Sequence, residues 1–217
     1  MFEDVKTPVY IIDKDALEEN LKILNNVSQR TGCKILLAQK AYSNYITYPL
    51  IKKYINGTTA SSLHEAKLGY EEMGGETHIF APAYLDEEFD EINSICDHIV
   101  FNSFAQWDKY KSRVKGTKCG IRVNPEYSEI ETDIYNPCFA NSRLGITLDN
   151  FKQDDLQGIS GLHFHAMCEQ NADTLKRILD VFEEKFGKYL YDMEWVNFGG
   201  GHHITRKDYD IDLLCQC

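Results

Sequence analysis

The sequence predicts a parallel α/β fold, because short apolar strands and amphipathic helices alternate along it at least six times. A length of 217 residues is enough for one sizeable core and makes one domain the default. Polar and unusual residues follow the strands, at the edge where parallel sheets carry their sites. An open doubly wound sheet and a (β/α)8 barrel both satisfy this pattern.

The elements follow one another in a regular order. A β-branched and aromatic run at 7–12 predicts an N-terminal strand. Asp13 then opens a helix whose apolar residues recur at helical spacing from Leu17 to Val27, and Gly32 ends it. Helices are expected at 46–54, 63–73, 86–96, 104–114 and 172–186, and about seven strands, one fewer than a closed barrel needs, at 35–38, 58–62, 77–80, 98–101, 118–123, 159–165 and 194–197.

Composition restricts the possible partners and the compartment. The net charge of −11 argues against nucleic acid as a partner and could steer a cationic substrate towards the protein. No apolar run approaches the length of a membrane span, and the acidic start at 1–4 does not resemble a signal peptide. The 7 cysteines are odd in number and scattered, which indicates reduced thiols and a cytoplasmic protein.

Lys40 ends the most informative segment of the chain. Ile35 to Ala38 form a short apolar run, as expected for a strand buried on both faces, and the lysine comes at its end. On this segment alone, a solvated lysine that merely follows a strand is the simpler interpretation. The alternative is a partly desolvated amine that forms a Schiff base with a carbonyl compound.

Further candidate site residues follow later strands. Gly199, Gly200 and Gly201 come directly after a strand, and successive glycine N–H groups can cradle a phosphate. His163 and His165 lie on one face of a strand. His165 could place its ring against a planar cofactor, or both histidines could bind zinc or iron together with His202, which would indicate a metal-dependent barrel hydrolase. Arg143 follows a long polar loop and suits an anionic partner, although a surface ion pair is the simpler interpretation.

Taken together, these motifs resemble the fold-type III pyridoxal-phosphate enzymes, which include alanine racemase and the ornithine and diaminopimelate decarboxylases. The resemblance extends over nearly the whole chain, and the motifs occur in the family's order. The matching segments are 7–10, 38–41 with the Schiff-base lysine, 60–65, 142–145, 162–165 with the histidine that stacks on the pyridine ring, and the phosphate loop 198–201.

The resemblance implies a fold, a cofactor and a reaction. The fold is the (β/α)8 barrel of the alanine racemase type, with 1–13 contributing a strand to a second, β-rich domain and 14–217 forming the barrel. Lys40, His165, Arg143 and the glycines at 199–201 would contact pyridoxal 5'-phosphate, and Lys40 and His165 would be catalytic. No metal is implied.

Within the family, Gln39 and the segment 165–169 resemble most the carboxynorspermidine decarboxylases of polyamine biosynthesis. The substrate implied is a cationic carboxypolyamine, carboxynorspermidine or carboxyspermidine. A diaminopimelate-type decarboxylase and a homologue without turnover are the alternatives.

The family pattern continues beyond Cys217, with the last barrel strand and most of the β-domain. These 217 residues alone are therefore expected to be an incomplete barrel, to be poorly soluble or to associate, and to have little activity. The full-length protein is expected to be a homodimer.

Overall fold

The computed structural model describes residues 5–152 and 156–217, and within them seven parallel strands form one sheet in sequence order. Each strand pairs with the next along the chain, as in a (β/α)8 barrel, and β1 and β7 lie at the two ends of the described sheet. The strands are β1 Leu36–Ala38, β2 Gly57–Ala60, β3 Glu76–Phe80, β4 His98–Phe101, β5 Lys118–Arg122, β6 Gly161–His163 and β7 Trp195–Asn197.

Helices cover the outer face of this sheet. They are α1 Lys14–Thr31, α2 Tyr48–Ile51, α3 Leu63–Leu68, α4 Phe89–Ile95, α5 Phe104–Tyr110, α6 Ala172–Leu190 and α7 Ile211–Leu214. The predicted α/β class and the seven barrel strands are confirmed, and the order of pairing favours the barrel over the doubly wound sheet, whose strand order is not sequential.

The first helix begins and ends where the sequence predicts. The Asp13 carboxylate accepts hydrogen bonds from the N–H groups of Asp15 and Ala16, both at 3.0 Å. Gly32 adopts a left-handed conformation, with φ of 74°, and its N–H bonds to the carbonyl of Ser28. The helix is therefore fixed at both ends by local chemistry.

Residues 5–13 form no strand, contrary to the prediction for 7–12. Tyr10 is fully exposed and Ile11 is half exposed, so the described residues give this segment no partner strand. A β-strand needs such a partner, because its backbone groups are satisfied across the ladder. Residues 1–4 lie outside the described residues, and membership of 1–13 in a second domain stays a prediction.

Two hydrophobic clusters lie between the sheet and the helices. The larger one extends from β2 to α6 and includes Ile99, Ile121, Leu162 and Phe186, all of them fully buried. The smaller one lies beneath α1, α2 and the helical turn that follows α3, and its buried members are Leu21, Tyr48, Ile51, Ile55 and Met73.

Side chains at alternate strand positions project to the other face of the sheet, which corresponds to the barrel interior. Here the ring of Trp195 lies over two glycines on neighbouring strands, Gly120 and Gly161, and a Cβ atom at either would overlap the ring. The Trp195 Nε1–H donates to Oγ of Ser160 at 3.2 Å. The Trp195 ring therefore covers the inner face of β5 and β6 at these two glycines.

Candidate active site

The carboxyl ends of the strands meet at one edge of the sheet, and the predicted site residues follow three of them. Lys40 lies in the turn after β1, His165 lies two residues after β6, and Gly199, Gly200 and Gly201 follow β7. In parallel sheets this edge carries the active site.

Lys40 extends from a turn that the backbone holds tightly. The N–H groups of Ala41 and Tyr42 both bond to the carbonyl of Ala38, at 3.0 and 3.2 Å. The preceding residue, Gln39, is buried and donates from Nε2 to the hydroxyl of Tyr48 at 3.3 Å. The Lys40 side chain itself is exposed, so the described residues do not supply the partial desolvation that the sequence suggested.

His165 lies between the glycine loop and β5. The N–H of Gly200 donates to its Nδ1 at 3.1 Å, and Nη2 of Arg122 donates to its carbonyl oxygen at 3.3 Å. Burial, followed by the charges of Lys40 and Arg122, lowers the pKa of His165 to about 4. The ring is therefore neutral at neutral pH.

The glycine loop packs closely on the end of β6 at two of its three positions. Gly199 has φ of 73°, and a Cβ there would lie 2.5 Å from the carbonyl oxygen of Phe164. A Cβ on Gly201, which has φ of 99°, would overlap the backbone of Met167. A Cβ on Gly200 would meet nothing within 4 Å, so the loop leaves open space at its middle residue.

Arg122 is the main site residue that the sequence analysis missed. It is only 4% exposed, and its guanidinium lies 4.7 Å from the ring centroid of Phe80. Its Nε is buried without a hydrogen-bond partner among the described residues, and burial lowers the pKa of Arg122 to about 10. An arginine that ends an otherwise apolar strand was the available signal, since arginine is seldom buried unpaired.

His163 and His202 do not join His165 in a metal site. Nδ1 of His163 shares a hydrogen bond of 3.2 Å with the carbonyl of Asn197, and burial lowers the pKa of His163 to about 3. Nδ1 of His202 bonds instead to the hydroxyl of Tyr209 at 2.8 Å. Within 5–152 and 156–217, the one group of three metal-type ligand atoms lies elsewhere, so this geometry gives the barrel hydrolase alternative no support.

Arg143 differs from the other predicted residues because its backbone, not its side chain, is held in place. Its carbonyl accepts a hydrogen bond of 2.9 Å from Nδ2 of Asn102, and Oδ1 of Asn102 accepts one from the Gly145 N–H at 2.8 Å. The Arg143 side chain is exposed, in the loop before Ile146, which bridges to Val123 just after β5. A ligand contact by Arg143 stays a prediction.

The residues at this edge fit a phosphorylated, planar cofactor such as pyridoxal phosphate. Lys40 offers an exposed amine, and Gly200 leaves space that a Cβ would fill. The Nε–H of Arg122 is buried without a hydrogen-bond partner among the described residues and suits an anionic oxygen.

Sequence comparisons connect the chain with polyamine decarboxylases. It is 46% identical, over 98% of its length, to a carboxynorspermidine/carboxyspermidine decarboxylase of Campylobacter jejuni, and covers 56% of that protein. It is 38% identical over 95% of its length to a carboxyaminopropylagmatine decarboxylase of Synechocystis, of which it covers 54%. The chain thus spans about half the length of these curated relatives. No protein-family model matches it.

Structural comparisons agree with this. Carboxynorspermidine decarboxylase from Campylobacter jejuni, solved in complex with norspermidine, superposes with a TM-score of 0.91 at 44% identity, covering 98% of this chain and 55% of that one. Diaminopimelate decarboxylase from Helicobacter pylori shares the fold at 15% identity and a TM-score of 0.74, covering 99% of this chain and 60% of that one. The resemblance to fold-type III decarboxylases is confirmed, and carboxynorspermidine decarboxylases are close homologues.

Proposed function

We propose that this chain is the N-terminal part of a pyridoxal-phosphate-dependent decarboxylase that acts on carboxynorspermidine and carboxyspermidine in polyamine biosynthesis. Identity of 46% to an enzyme of that name, over 98% of the chain, supports this substrate class. The single structural observation that supports it best is the position of Lys40, His165 and the loop 199–201 after β1, β6 and β7, at one edge of the sheet.

Lys40 would attach the cofactor through its amine, and the loop 199–201 would hold its phosphate. The N–H groups of Gly199 and Gly200 already donate to Asn197 Oδ1 and His165 Nδ1, so the loop would hold the phosphate mainly through the space at Gly200 and the backbone of Gly201. The helix-capping hydrogen bond from Glu65 N–H to Ser62 Oγ, 3.3 Å long, holds the turn after β2 beside this edge.

When bound, pyridoxal phosphate supplies an electron sink for the pair left behind as CO2 departs. The chain's own residues orient and tune the site. His165 presents a neutral ring whose orientation the Gly200 N–H fixes, and Arg122 holds a buried positive charge next to it. A cation in such a poorly solvated position favours anionic oxygens on the substrate or cofactor.

The acidic protein would attract the cationic substrate over long range, since the net charge is −11. Within the described ranges, no helix combines the length and apolar character that crossing a membrane requires. We place the full-length enzyme in the cytoplasm as a homodimer. In support of an interface, Ile134, Tyr135 and Phe139 are exposed apolar side chains within one loop near the site edge. Sedimentation of the full-length protein tests the dimer.

The cofactor assignment is tested by reduction with borohydride in the presence of pyridoxal phosphate, followed by mass spectrometry of the digested full-length protein. We expect one pyridoxyl label, on Lys40, and none in the Lys40→Arg variant. Lys53→Arg, which changes an exposed lysine after α2, is the matched control and should leave the label intact. Label spread over surface lysines in the unsubstituted protein would contradict the assignment of Lys40.

The substrate assignment is tested separately, by CO2 release from four compounds. We expect turnover of carboxynorspermidine and carboxyspermidine to exceed that of carboxyaminopropylagmatine and meso-diaminopimelate. Preference for meso-diaminopimelate would support the diaminopimelate-type alternative. A single label on Lys40 without turnover of any of the four would indicate a homologue that binds the cofactor without this activity.

A further inference from the structure

A second group of functional side chains lies at the opposite end of the sheet from Lys40. Glu76 and His78 are two residues apart on β3 and so lie on the same face, and His98 is the first residue of β4. The register pairs His78 directly with His98. One ligand atom from each of the three residues lies within 4.8 Å of the other two. We refer to Glu76, His78 and His98 as the β3–β4 cluster.

The carboxylate of Glu76 is held from two sides. Its Oε2 lies 2.9 Å from Nε2 of His78, and its Oε1 accepts a hydrogen bond from Lys34 Nζ. The Lys34 bond fixes one carboxylate oxygen and leaves the other facing the imidazoles. This arrangement resembles the outer hydrogen bonds that orient ligands around protein-bound metals.

His98 provides a second observation, independent of the spacing of the three ligand atoms. Its Nδ1 is buried and has no hydrogen-bond partner among the described residues. A buried polar nitrogen without a partner costs about 1–3 kcal/mol, and a bound ion at this position would relieve that cost.

The cluster also has access and space. A cavity of about 450 Å³ opens at this end of the sheet, and two of the three cluster residues, Glu76 and His98, line it. Two further lysines line it near β5: Lys115, and Lys118, which forms an exposed ion pair of 2.7 Å with Glu194. A cavity of this volume has room for a small hydrated ion and for the water that completes its coordination.

We propose that Glu76, His78 and His98 form a zinc site that ties β3 to β4. Zinc binds imidazole nitrogen and carboxylate oxygen at about 2.0–2.2 Å and is four-coordinate, so water would supply the fourth ligand. The two imidazoles now stack with their centroids 4.0 Å apart and their planes 11° apart. One ion cannot lie in both parallel planes, so the rings must turn about their Cβ–Cγ bonds when zinc replaces the proton between His78 and Glu76.

The site lies at the amino ends of the strands, where barrel proteins place residues that contribute to stability, so zinc is expected to stabilise the fold and not to take part in decarboxylation. The proposal depends only on the β3–β4 cluster and does not require the proposed reaction.

The test measures zinc binding by the full-length protein after removal of metals, in competition with a chromophoric chelator. We expect one Zn²⁺ per chain, and His98→Gln and Glu76→Gln should each weaken binding by more than about tenfold. His64→Gln, which alters an exposed histidine of α3 outside the cluster, is the matched control and should bind zinc as the unsubstituted protein does. Absence of binding by the unsubstituted protein, or unchanged binding by His98→Gln, overturns the proposal.

A second measurement does not depend on whether the variants fold. The 7 cysteines of the chain could bind metal through thiolates, so Co²⁺ is added to the unsubstituted protein and its absorption spectrum is recorded. Ligation by the β3–β4 cluster predicts visible bands of a low-coordinate Co²⁺ site without a thiolate-to-cobalt charge-transfer band. A strong charge-transfer band in a one-to-one complex would show that cysteines hold the metal and would overturn the proposal.

Discussion

The backbone N–H of Gly200 donates a hydrogen bond of 3.1 Å to Nδ1 of His165. This bond assigns the remaining proton of the neutral ring to Nε2. It also joins the loop after β7 to the end of β6, so the orientation of His165 depends on the conformation of the glycine loop.

The buried histidines predict how stability changes with pH. The pKa of His165 is lowered to about 4 and that of His163 to about 3, against 6.5 for an unperturbed histidine. Between pH 6.5 and about 3, the unfolded chain binds protons at these histidines that the folded protein does not. Their contribution to the free energy of unfolding is therefore fully present above pH 6.5 and is lost as the pH decreases. We expect the urea midpoint to decrease between pH 6.5 and 5.

The pH range separates this effect from carboxylate titration. Arg177 and neighbouring donors lower the pKa of Glu129 to about 2, from 4.5, so this carboxylate loses stabilisation only at lower pH. His163→Gln should reduce the decrease between pH 6.5 and 5, whereas His64→Gln should not. An unchanged slope in His163→Gln would contradict the assignment.

Alanine substitution should distinguish the first two glycines of the loop. Gly199→Ala places a side chain at positive φ, which costs about 1–2 kcal/mol, and in addition brings its Cβ to 2.5 Å from the Phe164 carbonyl oxygen. We expect its free energy of unfolding to fall by more than about 2 kcal/mol. Gly200→Ala has space for the methyl group and should change stability by less than about 1 kcal/mol, while weakening binding of pyridoxal phosphate. Equal stability of the two variants would be the contrary result, and urea unfolding with cofactor titration measures both quantities.

Replacement of Arg122 should separate stability from ligand binding. The Arg122 guanidinium is buried, its Nε has no hydrogen-bond partner, and it has no carboxylate partner among the described residues. Burying such a charge costs free energy, so Arg122→Met should leave the free energy of unfolding unchanged or raise it by about 1–2 kcal/mol. Loss of the same cation should weaken binding of the cofactor or substrate by about tenfold or more, that is, by about 1.4 kcal/mol. Cofactor titration and urea unfolding of one preparation provide the comparison. A variant that unfolds readily yet binds normally when folded would refute this role.

The contact between Trp195 and Gly161 should behave as a coupled pair. Gly161→Ala forces the Trp195 ring out of its position and is expected to cost more than about 2 kcal/mol. In a Trp195→Ala background the same change meets no ring and should cost less than about 1 kcal/mol. The double-mutant cycle is measured by urea unfolding, and additive effects would show that the ring lies elsewhere.

The sequence predicted the strands and the ends of α1 well because their determinants are local. Apolar runs bounded by polar turns specify β3 to β5, and Asp13 and Gly32 specify the limits of α1. The predicted strand at 7–12 failed because its apolar pattern needs a partner that the described residues do not contain. Partial desolvation of Lys40 stays a prediction: the described residues leave Lys40 exposed, and exposure depends on what packs around the turn.

The site was predicted in part. Lys40, His165 and the three glycines could be found because each comes soon after a predicted strand, at the edge where parallel sheets carry their sites, and is of a residue type that is unusual there. The role of Arg122 could not, because its lack of a partner becomes visible only when Phe80 and His165 lie beside it. The β3–β4 cluster was missed because His78 and His98 are 20 residues apart and meet only through the register of two strands.

The division of the hydrophobic interior into two clusters has a consequence for local unfolding. The turn that carries Lys40 follows β1, whose residue Leu37 packs on the smaller cluster with α1 and α2, apart from the larger cluster beneath β4 to β6. A unit that buries so few side chains can open while the rest of the sheet stays folded. Amide hydrogens of β1 and α1 should therefore exchange with deuterium sooner than those of β4 and β5, and the lysine that would anchor the cofactor would belong to the least protected part of the sheet.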